Sequence, residues 1–390
     1  MFLQKHNKYN CCGCGACEQV CSTGAITMRD DSEGFLYPEV DHRKCTSCGR
    51  CKKVCPLQNQ TSGETSEKSI LLIDKNDERR NRATSGGAFE LICRAFTSDC
   101  DNFAIWGCAL DRDLKAVHKC IHTFDDIQQL KKSKYIQSNL QDAFQHIRRQ
   151  LSTRGTKVVF SGTPCQADAL RLFLQHEYAN LLVIDFVCHG VPSQKAFDQF
   201  ITEYELKSGK NIQEYIFRSK QIKDDPYATT LKFSTGDSCN VGSAESLYMF
   251  AYLNGFMLRR SCYKCQYANM TRPSDITIAD YWGAEKYLKD PVVPLSQGAS
   301  MLLPNTKKGI AVYQKIQARD DVYTCEIPIS VALENNQNLS HSADKLLYRD
   351  KFYRLLRKYP FSEALGRSQY PPIYKRAYAR LKRKVMWRKQ

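Results

Sequence analysis

The stretch Lys157–Gly190, KVVFSGTPCQADALRLFLQHEYANLLVIDFVCHG, decides the fold. Lys157-Val158-Val159-Phe160 is an apolar run of strand length, and Ser161-Gly162-Thr163-Pro164 turns the chain. Cys165 to about Leu174 reads as a helix, and Leu181–Val187 is a second apolar strand that ends in Cys188-His189-Gly190. Strand, helix, strand is a βαβ unit and obliges its two strands to run parallel. Both strands then finish on one edge of the sheet, and each delivers a cysteine to it. In open α/β sheets that carboxyl edge is where ligands bind. Cys165 and Cys188 are therefore expected to be neighbours although 23 positions apart.

On the N-terminal side, Ile70–Ile73 reads as a buried strand, Thr84-Ser85-Gly86-Gly87 as a turn, Ala88 to about Phe96 as a helix and Phe103–Leu110 as a strand. Asp125–Lys132 and Leu140–Leu151 look helical. On the C-terminal side, Cys262 and Cys265 form a C-x2-C knuckle before the alternating stretch Asp275–Gly283. Alone, the knuckle suits zinc, an iron–sulfur centre or a redox dithiol. After about Tyr323 the pattern fades into mixed helix.

The first 55 residues repeat one cysteine phrase. Cys11, Cys14, Cys17 and Cys21 stand in C-x2-C-x2-C-x3-C order; Cys45, Cys48, Cys51 and Cys55 repeat it, with Pro56 next. Three thiolates at two-residue gaps wrap one corner of a cubane, and the fourth points to a neighbouring cluster. In two-cluster ferredoxins the run therefore crosses over. The expected sets are Cys11, Cys14, Cys17 with Cys55, and Cys45, Cys48, Cys51 with Cys21. Zinc is the alternative, but it favours paired C-x2-C units separated by a longer gap. Two [4Fe-4S] clusters are expected, so the protein moves electrons. The polar stretch QTSGETSEKS, residues 60–69, reads as a linker after this module.

At 390 residues the chain suggests two or three units, and 42% hydrophobic residues are enough for real cores. Nineteen cysteines exceed any packing need. The start, MFLQKHNKYN, has no apolar stretch of signal-peptide length, and no run of about 18 apolar residues occurs anywhere. A reducing cytoplasm, with thiols kept for metal, is expected. The net charge of +16 is uneven: from Arg367 to Gln390 there are nine Lys or Arg and no acidic residue. Such a tail is either a solvated helix face or a site for an anionic partner. With Tyr370, Tyr374, Tyr378 and Trp387 interleaved, it suits peripheral attachment to an anionic membrane at its inner face. No nucleic-acid-binding module is recognised, so no nucleic acid is expected.

Six phrases in this order resemble the coenzyme F420 hydrogenase/dehydrogenase beta-subunit family. They are Ser85-Gly86-Gly87, Ser133-Lys134-Tyr135-Ile136-Gln137-Ser138, Ser161–Gln166, Cys188-His189-Gly190-Val191-Pro192-Ser193, Cys262-x2-Cys265 and Asp275–Gly283, and the resemblance covers roughly residues 1–330. Family members bind FAD and iron–sulfur clusters and pass electrons between a small carrier and another substrate. Plant 7-hydroxymethyl chlorophyll reductase belongs to the same broad group, and bacterial relatives are similar to proteins of surface-polysaccharide loci. The chain departs from the pattern at Ser22, where proline often follows the first quartet, and at Cys12, an additional thiol beside Cys11. The basic tail lies outside the resemblance.

The resemblance implies α+β and α/β architecture, with a dicluster ferredoxin-like module before a mixed α/β flavin-binding region. The expected divisions are 1–60 ferredoxin-type, 61–69 linker, 70–152 and 153–330 as the N- and C-terminal parts of the beta-subunit family, and 331–390 as helical basic tail. Cys165, Cys188, Cys262 and Cys265 have the count for a third [4Fe-4S] cluster; the alternative is a zinc knuckle beside two buried cysteines. Another reading makes Cys165 a nucleophile with His189 as its base. For FAD, Ser85, Gly86 and Gly87 offer backbone amides at a helix start. Lys134, Tyr135, Gln137 and Ser138, with Asn139, add charge and hydrogen bonds, and His189 and Gly190 approach the ring. The resulting expectation is an iron–sulfur flavoprotein oxidoreductase working between a reduced carrier or redox partner protein and an unidentified small substrate. The other class is a non-catalytic subunit that relays electrons to a partner enzyme.

Overall fold

The structure, a computed structural model, describes residues 8–287, 297–344 and 348–369. Its strands in chain order are β1 (Ile26–Asp30), β2 (Leu36–Val40), β3 (Glu64–Thr65), β4 (Ser69–Asp74), β5 (Asn102–Leu110), β6 (Ala116–Ile121), β7 (Thr156–Ser161), β8 (Leu181–Phe186), β9 (Ile212–Ile216), β10 (Thr229–Phe233), β11 (Ser238–Val241), β12 (Thr271–Arg272), β13 (Ile276–Asp280), β14 (Ser300–Pro304) and β15 (Val322–Ile327). Eight of them form the central sheet in the order β15-β4-β14-β13-β8-β7-β5-β6.

The βαβ unit at the middle of that sheet has a local cause. Pro164 opens the helix Pro164–Leu174 at a position where no amide is needed, and the Thr163 and Gln166 side chains cap it reciprocally. The helix returns the chain so that β8 lies parallel to β7, with Val158 opposite Leu181 and Ser161 opposite Ile184. β5 and β13 flank the pair in the same direction. β6, β14 and β15 run antiparallel to their neighbours.

Both faces of the sheet are covered. Ile70 and Leu72 of β4 pack with Leu302 of β14 under the helices Ala88–Thr97 and Lys307–Gln317. Their alternating neighbours Leu71 and Ile73 pack with Met301, Leu303, Val331 and Ala332 on the other face. Further along that second face, Val158, Phe160 and Val183 lie under the helices Ala143–Leu151 and Pro164–Leu174, and Cys14, Ala16 and Val54 of the N-terminal module join this core. Strands buried on both faces read as continuous apolar runs, which is how β4, β8 and β14 look.

A second core lies beside the sheet. The small sheet β9–β11 and the helices Gln194–Ser208, Leu247–Leu253, Arg349–Leu356 and Phe361–Gln369 enclose Phe197, Phe217, Tyr248, Phe352 and Phe361, together with Phe35 and Tyr37 from the β1–β2 hairpin. The expected tail divides here: its described residues 331–344 and 348–369 are packed, and the stretch after Gln369, with Tyr370, Tyr374, Tyr378 and Trp387, lies outside the described residues. Arg367 itself pairs with Glu363 and covers the Tyr359 ring. The expected division at 152/153 falls between strands of a single sheet. Residues 61–69 are pinned in passing: β3 pairs with β12, and the buried Ser66 hydroxyl donates to the Lys68 and Pro304 carbonyls. Among the described residues no helix is long and apolar enough to cross a membrane.

Candidate functional site

The two cysteine phrases fold into matching loops. In each, a glycine two places before the third cysteine takes a left-handed backbone, Gly15 at φ +70° and Gly49 at φ +75°, and opens a one-turn helix, Ala16–Gln19 or Arg50–Lys53. Cys11, Cys12, Cys14, Cys17 and Cys55 line one cavity of about 220 Å³, closed by Met28, Tyr37, Val54 and Leu57. Cys55 therefore sits with the first three cysteines of the other phrase. Burial raises the Cys17 thiol, with Cys11, Cys55 and Cys51 adding to it. Cys55 is pushed up to about 12 by burial, with Cys12 and Cys11 nearby. Cys21 instead neighbours Cys48 and Cys51. Cys14 and Cys17 are buried, whereas Cys48 is exposed and Cys45 and Cys51 are partly so. The first group is an inner one and the second an outer one.

The sheet edge supplies another thiol group. Cys165 lies in the first turn of its helix, 3.1 Å from Thr163 Oγ1. Cys188 follows β8, and Cys262 sits on the turn Arg260–Lys264, with Cys265 just after it. Gly190, at φ +126°, lets the strand end approach that turn: a Cβ there would meet Cys262 Cβ at 3.0 Å. Burial raises the Cys188 thiol, with Cys262 and Cys265 adding to it. Cys265 is likewise a neighbour of Cys165.

Cys12, set aside in the sequence as an extra thiol, is where the two groups meet. Hydrogen bonds with the Cys14 and Cys165 thiols hold it well below the usual thiol range, and it neighbours Cys262 and Cys265 as well. The arrangement gives the nucleophile reading of Cys165 no support. Its thiol is raised, first by the Cys12 hydrogen bond and then by burial, opposite to what an activated nucleophile needs. His189 turns away, with Nδ1 facing Asn338 Oδ1 at 3.3 Å and its ring edge-on to Tyr252.

The residues expected at a flavin divide into two places. Ser85–Gly87 packs against the sheet: the Gly86 amide donates to Ser300 Oγ and Ser85 Oγ to the Ala299 carbonyl. The Ser133 amide donates to Thr84 Oγ1, which brings Lys134 and Tyr135 beside this loop. Gln137 and Ser138 belong with the thiols instead. Gln137 Nε2 donates to the Cys12 carbonyl, and Ser138 Oγ accepts from Gln166 Nε2. The Gly190 position likewise faces Cys262. Asn139 is spent on the backbone of β6, with its amide on the Ala116 carbonyl.

Around the Ser85 loop the structure gathers Lys134 and Tyr135, expected from the sequence, with groups that had no sequence signal. Arg218, itself at φ +53°, makes a two-pronged ion pair with Asp280 at the end of β13 and stacks on the Tyr227 and Trp282 rings. Lys220 Nζ donates to the Arg80, Ser85 and Gln297 carbonyls, and burial beside Arg80 and Arg218 pushes it down to about 7. Lys134 is pushed down to about 8 by burial. Tyr135 packs 4.5 Å from the Tyr252 ring centroid. A cationic, aromatic-lined patch at a carboxyl edge suits an anionic, planar ligand. Arg218, Lys220 and Tyr227 come from a stretch distant in sequence from the Ser85 loop, which is why no local pattern disclosed them.

Residues 155–329 match the family described as the C terminus of the coenzyme F420 hydrogenase/dehydrogenase beta subunit, and residues 10–59 match the 4Fe-4S dicluster domain. By these matches residues 155–329 are related to the F420 hydrogenase/dehydrogenase beta subunit, and the chain carries an N-terminal dicluster domain. It is thus an iron–sulfur, electron-transfer protein of oxidoreductase type, with two [4Fe-4S] clusters supported by that domain. A chain of the F420-reducing [NiFe] hydrogenase complex from Methanosarcina barkeri is similar at 15% identity over 80% of this chain and 92% of that one, with a TM-score of 0.45. Among curated proteins none matches.

Proposed function

We propose that this protein draws single electrons from a reduced carrier or partner protein, passes them inward through its clusters to FAD, and reduces a small substrate there. The inner cluster is held by Cys11, Cys14, Cys17 and Cys55, the outer by Cys45, Cys48, Cys51 and Cys21, and a third by Cys165, Cys188, Cys262 and Cys265. A single zinc would draw its sulfurs to about 2.3 Å from one point. The inner thiols ring a cavity of about 220 Å³ instead, which suits a multi-iron cofactor. Bound flavin would supply exchange between one- and two-electron chemistry. Arg218, Lys220, Lys134 and the Tyr135, Tyr227 and Trp282 rings would hold its charged and planar parts. The observation that carries the reading is Cys12, whose thiol neighbours both the inner group and the sheet-edge group and so makes them contiguous.

The test is anaerobic purification of the full chain with iron, sulfide, zinc and flavin counts. About eight irons are expected from the module and about four more from the sheet-edge group, with one flavin. Replacing Cys165 or Cys265 should remove only the last four. Zinc in their place would overturn the third cluster, and no flavin after reconstitution with FAD would overturn the catalytic reading in favour of a plain relay.

A further inference from the structure

Arg259 is fully buried between the thiol groups. Its amide donates to the Val191 carbonyl (2.8 Å), and its own carbonyl accepts from the Cys262 amide (2.9 Å). Its guanidinium donates to the Cys11 carbonyl at 2.7 Å, to Gln137 Oε1 at 3.0 Å and to the Leu36 carbonyl at 2.9 Å, and lies 4.2 Å from the Tyr37 ring centroid. All three acceptors are neutral. Among the described residues no carboxylate pairs with it; Glu33, on the same hairpin as Leu36, is taken by Arg349 and Arg260.

A guanidinium stays protonated in proteins, and a buried cation without an anion is costly. The groups around Arg259 that would become anionic on binding iron are the thiols of Cys11, Cys12 and Cys262. The outer cysteine group has no such neighbour: Arg50, Lys52 and Lys53 beside it are exposed, so water and salt screen them. A reduced cluster carries one more negative charge than an oxidised one, and a buried fixed cation stabilises the reduced form.

We propose that Arg259 is a positioning residue that sets the direction of electron flow, raising the reduction potential of the inner cluster above that of the outer one. The inference rests on the cluster assignment proposed above. In the step it favours, one electron supplied by the reduced carrier leaves the outer cluster, which returns to its oxidised form, and enters the inner cluster. No bond and no proton moves. The same side chain clamps the Cys11 loop to the hairpin, fixing the inner cluster against the sheet edge.

The test is potentiometry of the anaerobically loaded full chain, followed by the spectra of the reduced clusters, in the native protein, Arg259→Met, Arg259→Lys and Gln137→Glu. The last places a carboxylate against the guanidinium and neutralises it without removing it. In Arg259→Met and Gln137→Glu, the preference of the electron for the inner over the outer cluster should fall at least tenfold, about 59 mV for a one-electron couple. The outer midpoint should stay in place, and Arg259→Lys should recover most of the difference. Unmoved midpoints in a loaded variant, or equal shifts at both clusters, would overturn the proposal. If Arg259→Met loses the inner cluster, retention in Arg259→Lys supports the charge, and loss in both assigns the residue to packing alone. A native chain that takes up no iron would defeat the cluster assignment instead.

Discussion

At the scale of single residues, glycine and arginine positions show how unevenly a sequence discloses its reasons. The sequence reading reserves the glycines of Ser85-Gly86-Gly87 for the close approach of a cofactor. The structure gives a different cause for Gly86: a Cβ there would stand 2.3 Å from the Leu72 carbonyl oxygen and 2.5 Å from the Ser300 amide nitrogen. Both are backbone atoms of inner strands and cannot yield. Gly86→Val should therefore cost about 2–3 kcal/mol of folding stability, measured by denaturant unfolding, whether or not flavin is present. An unchanged midpoint would mean that the loop tolerates the side chain and that its glycines serve something else. The cysteine quartets were legible because each phrase repeats its thiols within a few residues of the chain. Arg259 was not, because its acceptors are 248, 223 and 122 positions away.

At the scale of elements, the same contrast separates β7 and β8 from β4, β14 and β15. The first two are joined by one helix, and their pairing followed from that connection alone. The pairing of β4 with β14 and β15 joins residues more than 220 positions apart, and the apolar run Ser300–Pro304 carries no turn chemistry to say which neighbour it takes. What fixes the outer pair is a polar clamp at its end. Arg79 pairs with both Asp74 and Asp321, and Arg319 holds Asp321 from the other side. The hydrogen bond from Arg319, against some burial and helped by Arg79, holds the Asp321 carboxyl down to about 2. A carboxylate whose folded pKa lies below its unfolded value binds fewer protons in the folded state. Its contribution is present in full above about pH 4 and is lost as pH falls toward 2. Asp321→Asn should therefore flatten the acid limb of the stability profile between those limits while changing its shape little near neutrality. An identical acid limb in the variant would show that the clamp contributes nothing through its charge.

At the scale of the whole molecule, the ferredoxin-type module is built into the body. The Phe144 amide donates to Gln19 Oε1, Gln145 Nε2 to the Gln19 carbonyl, and Gln266 Nε2 to the Pro56 carbonyl. Thr61 donates twice to the buried Asp168, whose other oxygen accepts from Tyr267. The strongest tie is ionic. Glu33, in the turn of the β1–β2 hairpin, receives both guanidinium nitrogens of Arg349, a residue with no exposed side chain, and a third bond from Arg260. This links the first 40 residues to the helix Arg349–Leu356, so the last described helices hold the cluster module in place. Glu33→Gln would leave Arg349 buried with only Asp350, at 3.2 Å, as a charged partner. Removing one member of a buried pair costs about 3–5 kcal/mol, and the remaining carboxylate puts the expected loss near the lower end. Hydrogen exchange should then rise together in the hairpin and in residues 349–356, with the sheet protected as before. The iron count of the loaded chain should hold, because none of the cysteines has moved. Faster exchange confined to the hairpin would show that the two ends are not coupled through this pair, and that the module is held by its neutral contacts alone.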